Sequence, residues 1–377
     1  MERILARLSR WLMIVFFYIL SLLYPAWGQN SDQWSMFRGD PALSGYSEAK
    51  LKFPLELKWS YETGDAIVAA PVIGDQTIFV SSIDGIVSAV DFSGSLKWQF
   101  EAENSIEAPA MLLRGSLYVG DFSGFLYALD AADGNLIWQY ETENQIMGSP
   151  SFAMVKNRLY ILVGSYDYYL HCIDAESGKN VWKYESDNFI NGAPAIIDGM
   201  AMFGGCDGFL HMVDLETGMA AKKLEVATYI AGSVCIYQGK AYTGDYDGLF
   251  TCIDLKQQSI YWQFDNPTSN LPILASPAVS ENKVVIGGQD KYLRCFDDKG
   301  VELWNFNAGG RIDASPIIVR NVVVTATMDG FLYALNIKNG KEIWQYEIGS
   351  AIAHNPAVVE GKLVVGARDG FLYCFEK

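Results

Sequence analysis

The sequence predicts an all-β fold, an eight-bladed β-propeller of four-stranded antiparallel blades, and three observations carry that reading. The first is a repeat: Met328–Tyr346, MDGFLYALNIKNGKEIWQY, has close variants along the whole chain. Each copy opens on an acidic residue and Gly, at Asp84, Asp207, Asp247, Asp329 and Asp369, with Ser123-Gly124, Asp167-Tyr168 and Asp290-Lys291 as degraded versions. The openings are separated by 39, 44, 40, 40, 43, 39 and 40 residues, a regularity that marks a repeat architecture. The second is the content of each copy, which reads as four short strands between turn residues. Asp-Gly between alternating segments is a hairpin signal, because its turn needs positive φ. A single four-stranded unit cannot bury both of its faces, and radial repetition lets every sheet pack on two neighbours.

The third observation is where the repeat is cut. The last copy stops at Phe375-Glu376-Lys377, after its third strand, while an orphan fourth strand, Leu57-Lys58-Trp59-Ser60-Tyr61, stands near the front. The ring is therefore expected to close through an N-terminal strand near Trp59 that completes the last blade and leaves no frayed edge. Trp59, Trp98, Trp138, Trp182, Trp262, Trp304 and Trp344 end the fourth strands and read as structural positions of the repeat.

Taken in order, residues 1–28 read as a signal peptide. Arg3, Arg7 and Arg10 precede an apolar run from Trp11 to Leu23, and Ala26-Trp27-Gly28 offers small residues at the cleavage positions. The run is shorter than the roughly 20 apolar residues that span a bilayer, so no transmembrane segment is expected after its removal. The first cysteine is Cys172, and a lipid-attachment site is not expected; the chain reads as exported, to the periplasm or beyond the cell. Residues 29–55 form a polar leader in which Trp34 and Phe37 look like anchors laying it on the propeller. Its triplet Arg38-Gly39-Asp40 invites an adhesion reading, but three residues carry little specificity. Residues 56–377 are the propeller itself.

The formal charge is −16, and losing three arginines and one glutamate with residues 1–28 takes it to −18. Such a chain repels nucleic acid and anionic membrane surfaces. Aromatics at 14% and 35 glycines suit many short strands with tight turns, and a monomer is expected.

Written with its flanks, the unit is (Ala/Ser)-Pro, a strand, (Asp)-Gly-x-Leu-Tyr-Ala-Leu-Asp, then Gly-Lys-x-x-Trp. Over residues 57–377 this resembles the PQQ-like β-propeller repeat of quinoprotein dehydrogenases and of BamB-type outer-membrane assembly factors. The leader Trp34–Pro41 is similar to one that precedes such propellers in exported bacterial proteins. WD-type repeats fit worse, since Gln or Lys follows Trp98, Trp138 and Trp182 where they need Asp. The resemblance implies one of two functions. A PQQ-dependent dehydrogenase of alcohols or sugars would stack its quinone between a disulfide of adjacent cysteines and a Trp, and would hold calcium with carboxylate and amide side chains beside an Asp base. A non-catalytic scaffold would bind protein partners in the bacterial cell envelope. This chain has no adjacent cysteine pair and no long insertions to build a lid. The expectation is the scaffold, with no cofactor; PQQ with calcium belongs to the alternative.

The remaining chemistry-bearing residues have plain readings. Cys172, Cys252, Cys295 and Cys374 share a column with Ala89, Ala128 and Ala334 that wants a small buried side chain. Cys206 and Cys235 lie off it, and a disulfide between them is left open. His171 and His211 share the column of Tyr127, Tyr333 and Tyr373; with no Cys or carboxylate at ligand spacing they form no metal site and read as strand residues at the edge of packing. Glu107, Asn191, Asp313 and His354 break an otherwise small or apolar pattern before the Pro of each innermost strand. With Arg311 close by, they form the candidate ligand site at the mouth of the central channel. The alternatives there are simple solvation by channel water and the binding of a carbohydrate or other small ligand. The same face collects Glu62, Asp65, Glu101, Glu103, Glu141, Glu143, Glu185, Asp187 and Glu347, an acidic surface suited to an envelope or extracellular protein partner with a basic segment or to solubility alone.

Overall fold

Each copy of the repeat folds into a four-stranded antiparallel sheet, and eight such sheets form the ring in the computed structural model. The structure describes residues 31–377 apart from Ala227; the expected signal peptide lies outside them. Blades 1 to 7 are contiguous in sequence, from Val72–Glu101 in blade 1 to Ile317–Glu347 in blade 7. Blade 8 takes its three inner strands from Ala357–Glu376 and its outer strand from Glu56–Glu62 at the other end of the chain. Trp59 pairs with Cys374 and Tyr61 with Leu372, so the ring closes as the cut in the repeat predicts. All eight turns hold positive φ after the opening residue, including Tyr168 at 74° and Lys291 at 75°, which adopt it without being Gly.

One interaction ties blade to blade. The outer-strand Trp of one blade donates its indole N–H to a carbonyl of the next: Trp98 to Ala131 at 3.1 Å, Trp138 to Ala175 at 2.9 Å, Trp304 to Ile337 at 2.8 Å. Trp344 reaches Leu55 O at 3.0 Å and Trp59 reaches Phe92 O at 3.0 Å, carrying the pattern through the closure. The indole lies over the glycine of the neighbouring turn. A Cβ on Gly94 would stand 2.9 Å from Trp59 and one on Gly134 2.6 Å from Trp98, and both turns have positive φ, so Gly is required there twice over. Across the strand pair the same Trp faces the small column: Trp98 opposes Ala89, Trp182 opposes Cys172 and Trp304 opposes Cys295. That column is small because an indole sits directly opposite, beside a bulge that recurs at this register in every blade.

The leader packs beneath the ring. It crosses the end of the channel opposite the Asp-Gly turns, bonding in passing to innermost strands of six blades and to the turn after that of blade 8: Ser31 O takes Glu360 N–H, Trp34 and Ile73 bond reciprocally, and Ser35, Pro41, Ala42, Ser44 and Gly45 carbonyls take Leu112, Ile196, Ile236, Val279 and Ile318 N–H. Arg38 is fully buried at φ 65° and donates to Pro277 O and Pro316 O, each at 2.7 Å. Burial lowers its pKa to about 10 against the opposing pull of Cys235 and Asp40. The Arg-Gly-Asp triplet is thus a structural clamp with its cation inside the channel, unable to face a receptor.

Two expectations are corrected. His171 and His211 are not at an edge but fully buried, and each has a carboxylate four residues back in its own turn. The imidazole Nε2 lies 2.9 Å from Asp167 in one blade and 3.0 Å from Asp207 in the next. An ionised carboxylate only accepts, so Nε2 carries a proton, while Nδ1 lies 3.0 Å from the hydroxyl of Tyr140 or Tyr184. Reading the column for metal spacing missed this because the pairing is one the repeat also uses elsewhere: Tyr373 binds Asp369, four residues back, in the same way, and Tyr127 binds Asp121, six back. The open disulfide is also resolved, since Cys206 and Cys235 are free, buried thiols like the other four.

Candidate functional site

The eight loops that enter the innermost strands converge on the channel at the face of the Asp-Gly turns. Each carries a buried Ile, from Ile67 round to Ile352, and the residue after it faces the channel. Aligned on that Ile, the ring of channel residues is Val68, Glu107, Met147, Asn191, Ala231, Leu274, Asp313 and Ala353. All of them line one cavity of about 400 Å³, with Phe37 of the leader also in its wall. Three of the candidate residues, Glu107, Asn191 and Asp313, are members of this ring. His354 lies one position further along, in a column otherwise filled by Ala and Gly, and lines the same cavity. Below them a hoop of hydrogen bonds joins neighbouring blades: Ala193 N–H to Ser233 Oγ, Ser233 N–H to Ser276 Oγ and Ser276 N–H to Ser315 Oγ, at 2.8 to 2.9 Å.

Arg311 is close by, as expected, but not in the cavity wall. It stands on the rim with its side chain 51% exposed and reaches Asp313 Oδ2 at 3.3 Å, while Arg368 takes the position in the cavity wall. Gln289 holds the other Asp313 oxygen at 3.1 Å. Asn191 is likewise engaged, accepting from Tyr166 OH at 2.7 Å and donating to Ala231 O at 2.8 Å. Glu107 and His354 take no hydrogen bond or ion pair from the protein among the described residues, and each is only partly shielded. Desolvation inside the channel lowers the His354 pKa to about 4, and the Arg368 charge adds to the effect; the imidazole is neutral at ordinary pH.

An aromatic arc runs along blades 3 to 5, a Tyr- and Phe-bordered edge whose members sequence reading left unnamed. Tyr166 stacks on Phe189 at 4.5 Å, Tyr168 meets the same ring at a tilt at 5.2 Å, and Tyr229 meets Tyr246 edge-on at 5.1 Å. Tyr246 is 51% exposed and Tyr168 43%. A signal for part of this arc was available: the position just before each turn's opening residue runs Ile83, Phe122, Tyr166, Cys206, Tyr246, Gln289, Met328, Arg368. It supplies two of the tyrosines and the missing arginine. The nine acidic loop residues are exposed on this face, although Asp187 is ion-paired to Lys223.

The wall does not fit a stacked quinone with calcium. Neither cysteine nor tryptophan lines the cavity; the repeat tryptophans lie between outer strands, and the Asp313 carboxylate is taken by Arg311 and Gln289. Among the described residues no group of three or more His, Cys, Asp and Glu is placed to hold a metal ion, and no helix is long and apolar enough to cross a membrane.

A family model described as "Beta-alanine-activating enzyme, beta-propeller" matches residues 92–376. No curated protein matches the chain. Among solved structures, BamB from Moraxella catarrhalis is similar at 21% identity with a TM-score of 0.73, covering 86% of this chain and 98% of its own. A europium-containing methanol dehydrogenase reaches a TM-score of 0.77 at 14% identity, with 93% and 99% covered. The quinohemoprotein alcohol dehydrogenase from Comamonas testosteroni gives 0.75 at 16%, with 93% and 81% covered. These similarities bear out the PQQ-like, BamB-like propeller as the fold; at such identities they carry nothing about activity.

Proposed function

The chain belongs to the β-propeller family described as "Beta-alanine-activating enzyme, beta-propeller", and on that premise we propose that it is a non-catalytic binding scaffold of the cell envelope, docking a protein partner on the face of its Asp-Gly turns. The matched stretch is the repeat ring, so membership brings the fold and no activity. The observation that carries the reading is the contrast between the two ends of the channel. One end is plugged by the leader through Phe37 and the buried Arg38. The other presents exposed aromatics beside open carboxylates such as Glu103 and Glu143, a combination suited to a partner with a basic segment. The buried Asp–His pairs are spent on holding turns and support no catalytic role. BamB, a propeller of the same architecture, and the expected signal peptide favour an envelope location.

The test is a charge exchange on the full chain. Glu103→Lys with Glu143→Lys is expected to abolish recovery of the partner cross-linked by the parent protein while leaving the melting temperature unchanged, since both side chains are exposed. Undiminished recovery would assign the acidic face to solubility alone.

A further inference from the structure

We propose that the channel cavity is a saccharide-binding site, taking a neutral oligosaccharide whose sugar rings lie against Tyr229 and Tyr246 while Glu107, His354 and Arg368 bond its hydroxyls. The argument begins with charge. Glu107 and Asp313 in the wall are balanced in number by Arg368, which lines the same cavity, and by Arg311, which binds Asp313. His354 adds no charge, its pKa lying at about 4. A wall balanced in this way gains little from a cation or an anion, and selects a neutral ligand.

Hydrogen-bonding capacity narrows the class. Asp313 and Asn191 are engaged within the protein, which leaves Glu107, Arg368 and His354 with open valence beside the tyrosines. Glu107 only accepts, Arg368 only donates, and a neutral imidazole does one at each nitrogen. A ligand answering all three must offer donors and acceptors together, as a hydroxyl does. The aromatic side supplies the other half of sugar recognition. Tyr229 and Tyr246 both line the cavity and both line a second hollow, of about 470 Å³, with Thr228 and Asp247. The tyrosine pair therefore stands between two adjoining hollows, and a ligand of two or three rings reaches from one to the other across it. The plug below makes the turn face the way in.

The experiment uses the purified full chain, with glucose, cellotriose, maltotriose and triacetylchitotriose as probes, read by saturation-transfer NMR and calorimetry. At least one trisaccharide is expected to bind with ring C–H protons in contact, about tenfold tighter than its monosaccharide. Salt should leave that affinity unchanged, because no net charge is neutralised. Tyr246→Ala and Glu107→Gln should each weaken it about tenfold; Tyr246 is half exposed, so its loss leaves the fold intact, and melting temperature verifies this. Glu103→Lys with Glu143→Lys should leave sugar binding unchanged, which separates this site from the protein-docking face. The proposal is overturned if no probe binds at about 10 mM, or if binding survives both cavity substitutions. Salt-sensitive binding of tetralysine that competes with the sugar at these residues would also overturn it, assigning the cavity to a cation.

Discussion

Lys222 stands where seven other blades carry the outer-strand tryptophan, and two residues it would have touched have changed with it. Its cross-strand neighbour is Met212 in place of Ala or Cys, and the turn that a tryptophan there would have covered carries Gln258 at φ 55° in place of Gly. The three positions form one packing unit, so they should couple. Lys222→Trp alone is expected to destabilise by about 1–2 kcal/mol through overpacking, while the triple variant with Gln258→Gly and Met212→Ala recovers that and more. Denaturant melts of the full cycle give the coupling energy, and strict additivity would contradict the packing account. The buried Asp207–His211 pair predicts a pH response. Burial pushes the Asp207 pKa up, but the His211 hydrogen bond and charge outweigh it, and the pKa falls from the usual 3.8 to about 2. A depressed folded pKa stabilises above the unfolded value, so this contribution is complete above about pH 5 and lost as pH falls from about 4 to 2. His211→Gln should flatten part of that stability profile, and should cost about 1–3 kcal/mol at neutral pH by weakening the hydrogen bonding of Asp207, which keeps Lys223 at 3.4 Å.

At the scale of elements, the strand Glu56–Glu62 and the leader before it close the ring in different ways. The strand completes blade 8 along Phe371–Glu376 and offers Leu55 O to Trp344. The leader ties innermost strands together from within, and Arg38 is its most buried link. Arg38→Met keeps the bulk but strands the carbonyls of Pro277 and Pro316, which should cost about 2–3 kcal/mol. A chain lacking residues 31–62 should lose the cooperative melt of the parent, and a synthetic peptide of residues 53–64 added in trans should raise its melting temperature. A truncated protein that melts like the intact one would contradict the closure's energetic role.

Across the whole molecule, the sequence made the ring legible because its signals are periodic: Asp84 to Asp369 set the blade count, and the orphan Trp59 strand set the closure. The candidate site was legible where a column broke, at Glu107, Asn191, Asp313 and His354. It was not legible where the relevant column had no consensus to break: Tyr246 and Arg368 occupy a position with seven different residue types in eight blades. Arg311 was legible as a neighbour of Asp313, which it binds, but its nearness in sequence does not say that Arg368 also lines the cavity. The buried role of His171 and His211 was hidden because its partner carboxylate had been read only as a turn residue. The proposed docking face is that of the Asp-Gly turns and not the leader side. The most direct test places a photo-cross-linking amino acid singly at Glu103 and Glu143, and at Asp133 and Lys338 on the opposite face, in intact cells of the source organism. One discrete cross-linked product from the first two positions and none from the second two is the predicted result. Equal cross-linking from both faces, or products from Asp133 and Lys338 alone, would contradict it.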